Sequence, residues 1–232
     1  MKIVVTGASR GIGYQLVKQL SSNSGNIIFA VSRNEQQLEL LKKECPNRNV
    51  ISITCDLSKE LSIQSLLTNI KSHTNTINVL VNNAGAIVNK PFSEISKSDL
   101  EYVYNVNVFS VVRLIQGLLP MMEVKEKSHI VNISSIGGFQ GSLKFAGLSA
   151  YSSSKAALVC LTECLAEEFK EKNIAFNCLA LGAVQTEMLE EAFPGYKAPV
   201  SASEMASYIA DFVLHAHKTM SGKVIPVSSS NP

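Results

Sequence analysis

Short apolar runs rich in Val and Ile recur along the chain at residues 2–6, 27–31, 50–54, 79–82, 129–133, 174–179 and 223–227. Unbroken apolar runs of this length are the pattern of strands buried on both faces of a parallel sheet. Between them, apolar positions recur about every 3.6 residues, the helical period, over 11–20, 35–44, 61–73, 98–122, 151–170 and 203–214. Alternating strands and helices call for right-handed crossovers with helices on both faces of one sheet. The expected fold class is therefore α/β, a single doubly wound domain over 1–232 with seven parallel strands, and its ligands should gather beyond the carboxyl ends of the strands. No internal repeat, low-complexity tract or linker marks a boundary, and the tail 228–232 is expected to fray.

Composition narrows the possibilities. At 46% hydrophobic and 17% charged, with a mean hydropathy of +0.15, the chain is far from the composition of disordered proteins. A net charge of +2 offers no field to hold nucleic acid or an anionic membrane. The opening Met1 to Gly7 is too short in apolar residues for a signal peptide, and no apolar run approaches the roughly 18 residues of a spanning helix. Cys45, Cys55, Cys160, Cys164 and Cys178 form no disulfide framework, which points to a reducing cytoplasm. Cys160 and Cys164 share a helix face without a third ligand nearby, and His215 and His217 would diverge on a helix, so no metal is expected.

The first strand runs into Thr6-Gly7-Ala8-Ser9-Arg10-Gly11-Ile12-Gly13 and then a helix. Glycines permit a tight turn whose N–H groups, with the helix N-terminus, favour a pyrophosphate; taken alone, the segment also suits an ordinary strand-to-helix turn. About 20 residues further on, a nucleotide site that prefers NAD carries an acid for the ribose 2′-hydroxyl, whereas a basic residue suits a 2′-phosphate. This chain has Ser32 and Arg33 there, and Arg10 adds a second guanidinium, so NADP(H) is the expected cofactor.

Tyr151 and Lys155 are four residues apart at the start of a helical segment, which sets a phenol and an ammonium on one face. A nearby cation favours the phenolate, so the pair should be able to exchange a proton near neutral pH. Such pairs are commonplace on surfaces, but two strand ends add to this one. The strand ending in Ser134 and Ser135 brings hydroxyls that can bond a carbonyl oxygen, and Asn82-Asn83-Ala84-Gly85 stands beside the cofactor groove.

In this order the Thr-Gly-x-x-x-Gly-x-Gly loop, Asn-Asn-Ala-Gly, Ser and Tyr-x-x-x-Lys resemble the short-chain dehydrogenase/reductase family, in its shorter branch, over essentially the whole chain. The resemblance implies a single-domain Rossmann fold. It makes Tyr151 the general acid in carbonyl reduction, with Lys155 lowering its pKa and holding the nicotinamide ribose. Ser135 would orient the carbonyl, with Ser134 the weaker candidate, and Asn107 would support a water relay to the lysine. The cofactor would meet Gly7, Ser9, Arg10, Gly11, Ile12, Gly13, Ser32, Arg33, Asp56, Leu57, Asn83, Ala84, Gly85, Gly182, Val184 and Thr186. Two departures stand out: Leu181-Gly182 replaces the usual Pro-Gly, and the interval from Ser135 to Tyr151 is long.

Segment 187–202 would form a short substrate loop. Phe139, Leu143, Phe145, Met188, Leu189, Phe193 and Tyr196 favour a small apolar or aromatic carbonyl compound, with its alcohol as product. A pterin-type ketone and a 3-oxoacyl thioester both fit the resemblance, and Lys90, Lys144 and Lys197 leave an anionic substrate open. The competing reading is a catalytically silent NADP-binding regulator. The helices at 98–122 and 151–170, through which family members commonly pair, suggest a homodimer or homotetramer.

Overall fold

The structure is a computed structural model and describes residues 1–123 and 125–229; the last residues of the expected frayed tail lie outside the described residues. Strands β1 (Lys2–Thr6), β2 (Ile27–Ser32), β3 (Val50–Thr54), β4 (Val79–Asn82), β5 (Ser128–Ser135) and β6 (Ile174–Leu181) alternate with helices, and β9 (Lys223–Val227) closes the chain. Their order in the sheet is β3-β2-β1-β4-β5-β6-β9, every neighbour parallel. The chain moves outward from β1 to β3 and then crosses to β4 on the other side, so the sheet reverses direction between β1 and β4. A crevice opens at that reversal, where the loops after Thr6 and Asn82 diverge.

Strand alternation sorts the core into two layers. Ile3, Val5, Val79, Val81, Val131 and Leu179 pack under helices α1 (Gly11–Ser21), α2 (Glu35–Glu44) and α8 (Ala202–His215). Val4, Leu80, Ile130 and Phe176 face α3 (Glu60–His73), α5 (Ser110–Met122) and α6 (Ser149–Glu168). Burial on both faces is why these strands read as continuous apolar runs.

The structure departs from the sequence expectation in three places. The helix expected over 98–122 is broken into α4 (Lys97–Tyr104), a π-turn at Asn105–Phe109 and α5. The Ser110 N–H there reaches back to the carbonyl of Asn105, a register that hydrophobic spacing alone does not reveal. Strand β5 runs on through Ser134 and Ser135, and β6 through Leu181, as partners of one another. Segment 187–202 is more ordered than a loop: α7 (Glu187–Ala192) sits between β7 (Val184–Gln185) and β8 (Val200–Ser201), which pair with each other.

Candidate active site

The site begins with the closure of β1 against β4. Thr6 Oγ1 accepts hydrogen bonds from the N–H groups of Asn83 (3.1 Å) and Ala84 (3.0 Å), while Asn83 Nδ2 donates to the carbonyl of Thr6 at 2.9 Å. These bonds tie the two loops together at their base. Gly13 lets α1 start close to the turn, since a Cβ there would stand 2.3 Å from the Gly7 carbonyl oxygen. The adjoining space is a cavity of about 490 Å³.

Every residue expected from the sequence to meet the cofactor lines this cavity, as do Ser135, Tyr151 and Lys155. The residues fit a dinucleotide in shape and chemistry. The glycine turn opens at the N-terminus of α1, and the carboxylate of Glu187 leans toward it, its Oε2 3.4 Å from where a Gly11 Cβ would lie. An acidic oxygen thus already approaches the end of the helix that favours anions. At the far end, Asp56 is more committed than the sequence suggested. Burial opposes its charge, but Ser58 donates to Oδ1 from N (3.0 Å) and Oγ (2.7 Å), and the net effect lowers its pKa.

Arg10 and Arg33 have different partners. Both terminal nitrogens of Arg10 bond the carboxylate of Glu191 on α7. Arg33 makes no salt bridge among the described residues; its Nη1 donates to the hydroxyl of Tyr102 at 3.5 Å. Both guanidinium groups line the cavity, Arg10 paired with an acid across the mouth and Arg33 with a phenol.

Tyr151 and Lys155 both face the cavity from the first turns of α6, with Lys155 Nζ 5.9 Å from the centre of the Tyr151 ring. Lys155 is buried and donates to the carbonyl of Ile133 at 2.8 Å. Burial lowers its pKa to about 8. At Tyr151 burial is a larger influence than this cation. Burial raises the Tyr151 pKa and outweighs the hydrogen bond with Ser135 that pulls it down. Tyr151 is a phenol here, with its proton available.

The same geometry decides between the two serines. Ser134 Oγ is buried and donates to the backbone carbonyl of Lys155 at 2.9 Å, whereas Ser135 lines the cavity beside Tyr151, its Oγ accepting from Gly137 N at 3.2 Å. The long interval before Tyr151 is accommodated by an outward loop that leaves Leu143 and Phe145 exposed. Asn107 lies in the π-turn, fully buried and outside the cavity lining. Its Oδ1 accepts from Ala86 N at 2.8 Å, and its Nδ2 donates to Ala86 O (2.9 Å) and Ser154 Oγ (2.8 Å). With these bonds its side chain ties the β4 loop to α6.

The missing proline at Leu181 is compensated by the sheet. Leu181 pairs with Ser135 and Val227, and Gly182 N donates to the Val227 carbonyl at 2.8 Å. Thr186 then caps α7, its Oγ1 accepting from Leu189 N at 3.3 Å.

At the substrate end, Phe145, Met188, Leu189, Phe193 and Tyr196 line the cavity, while Phe139 and Leu143 do not. Phe145 and Phe193 meet edge to face with centroids 6.3 Å apart. Lys90 is paired with Asp99 and Lys144 donates to the Phe139 carbonyl at 2.7 Å, so both ammonium groups have partners within the protein. Four contributors escaped the sequence reading: Tyr102, the α7 acids Glu187 and Glu191, and the Ile133 carbonyl. Their partners are distant in sequence, so spacing carried no signal for them.

The sequence model described as short chain dehydrogenase matches residues 1–197. The chain belongs to this family and is an oxidoreductase by that membership. It is 30% identical over 241 residues to the 3-oxoacyl-(acyl-carrier-protein) reductase FabG of Aquifex aeolicus, covering 94% of this chain and 96% of the relative. It is 34% identical over 192 residues to the L-2,3-butanediol dehydrogenase of Corynebacterium glutamicum, covering 81% and 73%. Among solved structures it resembles a Pseudomonas aeruginosa RhlG/NADP complex, with a TM-score of 0.86, 26% identity and coverage of 99% and 95%. Among the described residues no helix is long and apolar enough to cross a membrane, and no group of three potential metal ligands occurs.

Proposed function

We propose that this oxidoreductase uses NADPH to reduce the carbonyl of a small, mostly apolar or aromatic ketone or aldehyde to an alcohol. The observation that carries the reading is that Ser135, Tyr151 and Lys155 line one cavity that runs on to the glycine turn and Arg33. When bound, the nicotinamide supplies the hydride. Ser135 and Tyr151 hold the substrate oxygen between two hydroxyls, and Tyr151 delivers its proton there as negative charge develops on that oxygen. Lys155, still largely an ammonium at neutral pH, stabilises the phenolate that Tyr151 becomes. Asn107 acts through position, fixing α6 relative to the loop after β4.

The apolar mouth of Phe145, Met188, Leu189 and Phe193 supports an apolar or aromatic substrate. The likeness to FabG keeps a 3-oxoacyl thioester among the candidates. NADPH oxidation followed against ketones, aldehydes, pterins and acyl thioesters tests the reading, and a protein that binds NADPH yet turns over none of them would favour the regulatory alternative. The same reading includes self-association through α4, the π-turn, α5 and α6, where Leu100 of α4 and Phe109 of the π-turn are exposed. A monomer mass in light scattering would remove that part. A cytoplasmic location accords with five free cysteines.

A further inference from the structure

The cavity ends, away from Tyr151, at Ser9, Ser32, Arg33, Asp56, Leu57 and Tyr102. Arg10 is paired with Glu191, whereas Arg33 makes no salt bridge among the described residues, although Asp56 on the same wall feels its charge. Its Nη1 donates to the oxygen of Tyr102 at 3.5 Å. A phenol that accepts in this way keeps its own O–H to donate elsewhere. Tyr102 is 37% exposed and lines the cavity, so the two groups present a cation and a neutral donor side by side. A phosphate monoester, with several strong acceptor oxygens, can take both.

The placement of Tyr102 is well supported. Helix α4 is fixed at its start by a capping box between Ser96 and Asp99, and by the bond from Lys90 to Asp99 at 2.8 Å. Two residues beyond Tyr102, Tyr104 turns to α6 and donates to Ser153 Oγ at 3.0 Å. The next residues enter the π-turn that carries Asn107. The helix therefore presents one tyrosine to the outer end of the cleft and the other to the catalytic helix.

We propose that Tyr102 is a specificity-determining residue that, together with Arg33, binds the 2′-phosphate of the adenosine half of the cofactor through its hydroxyl. The proposal deepens the NADPH reading and rests on it. It assigns the second donor to a tyrosine of α4 and not to Arg10.

Calorimetric titration with 2′,5′-ADP and with 5′-AMP tests it without any turnover. Wild-type protein should bind 2′,5′-ADP at least about tenfold more tightly. Tyr102→Phe should weaken 2′,5′-ADP about three- to tenfold, as for one lost hydrogen bond, and leave 5′-AMP within about twofold. Equal weakening of both ligands, or no change in either, would overturn the role of the hydroxyl. If wild type itself fails to prefer 2′,5′-ADP, both the proposal and the NADPH reading fall. If the preference disappears in Arg33→Ala but survives in Tyr102→Phe, the proposal alone falls.

Discussion

Gly138 lies against the backbone of Lys155: a Cβ built on this glycine would stand 2.6 Å from the Lys155 carbonyl carbon and 2.7 Å from Ala156 N. The turn after β5 thus uses the absence of a side chain to bring α6 close to Ser135. The neighbouring atoms are backbone and cannot rotate away, so the contact sets the spacing among Ser135, Tyr151 and Lys155. Gly138→Ala should push α6 outward, costing about 1–3 kcal/mol of stability and at least about tenfold in turnover, because misplacement by a fraction of an ångström is costly at a reacting centre. Denaturant melts and kcat, measured together, check it; wild-type kcat would contradict the spacing argument.

Tyr151→Phe removes the proposed acid and leaves the ring. Reduction should slow by about 10²- to 10⁴-fold, the usual contribution of a positioned proton donor, while calorimetry still shows NADPH binding. Undiminished turnover would refute the acid assignment.

The pH profile of reduction should reflect Lys155. Burial lowers its pKa to about 8, so the ammonium is present below that pH and is lost as pH rises through it. Tyr151, raised by burial, keeps its proton over the same interval. Expected kcat/KM for reduction is therefore level between pH 6 and 7 and falls above about pH 8. A profile that climbs through pH 8 and 9 would show that a deprotonated group is needed instead.

Arg10 and Arg33 should separate in cofactor choice. Arg33→Ala should weaken NADPH binding by about tenfold or more while sparing NADH, the scale of losing a charged hydrogen bond. Arg10→Ala should cost less than about fivefold, because Glu191 already holds that guanidinium at the surface. Fluorescence titration of both nucleotides measures this, and a larger selective loss in Arg10→Ala would reverse the ranking.

A fifth prediction concerns the opposite end of the sheet. His129 is fully buried on β5, with Nδ1 at 3.0 Å from the Val213 carbonyl and Nε2 at 3.0 Å from Asn177 Nδ2. His217 faces it at 5.4 Å between ring centres, and Lys127 adds further positive charge. Burial, chiefly, lowers its pKa to about 4. The native state therefore resists a proton that the unfolded chain accepts below about pH 6.5. Stability should be level above that pH and fall by about 2 kcal/mol between pH 6.5 and 5, a loss that His129→Gln would reduce. Urea midpoints at pH 7 and pH 5 provide the test.

Much of this protein is written in contiguous residues. Apolar runs at 2–6 and 79–82 identify buried strands because a strand covered on both faces has no solvated side to mark with polar residues. The glycine turn and the Tyr151–Lys155 spacing are local for the same reason: one tight turn and one helical repeat specify them. The tertiary structure decided what adjacency cannot express. Arg10 and Arg33 look alike in the chain, and only the approach of α7 and α4 gives one a carboxylate and the other a phenol. Ser134 and Ser135 are neighbours whose side chains a strand sends to opposite sides, so the packing of α6 determines which one faces the cavity. The protonation of Tyr151 followed burial, which depends on the whole surrounding fold, more than the single cation one helical turn away.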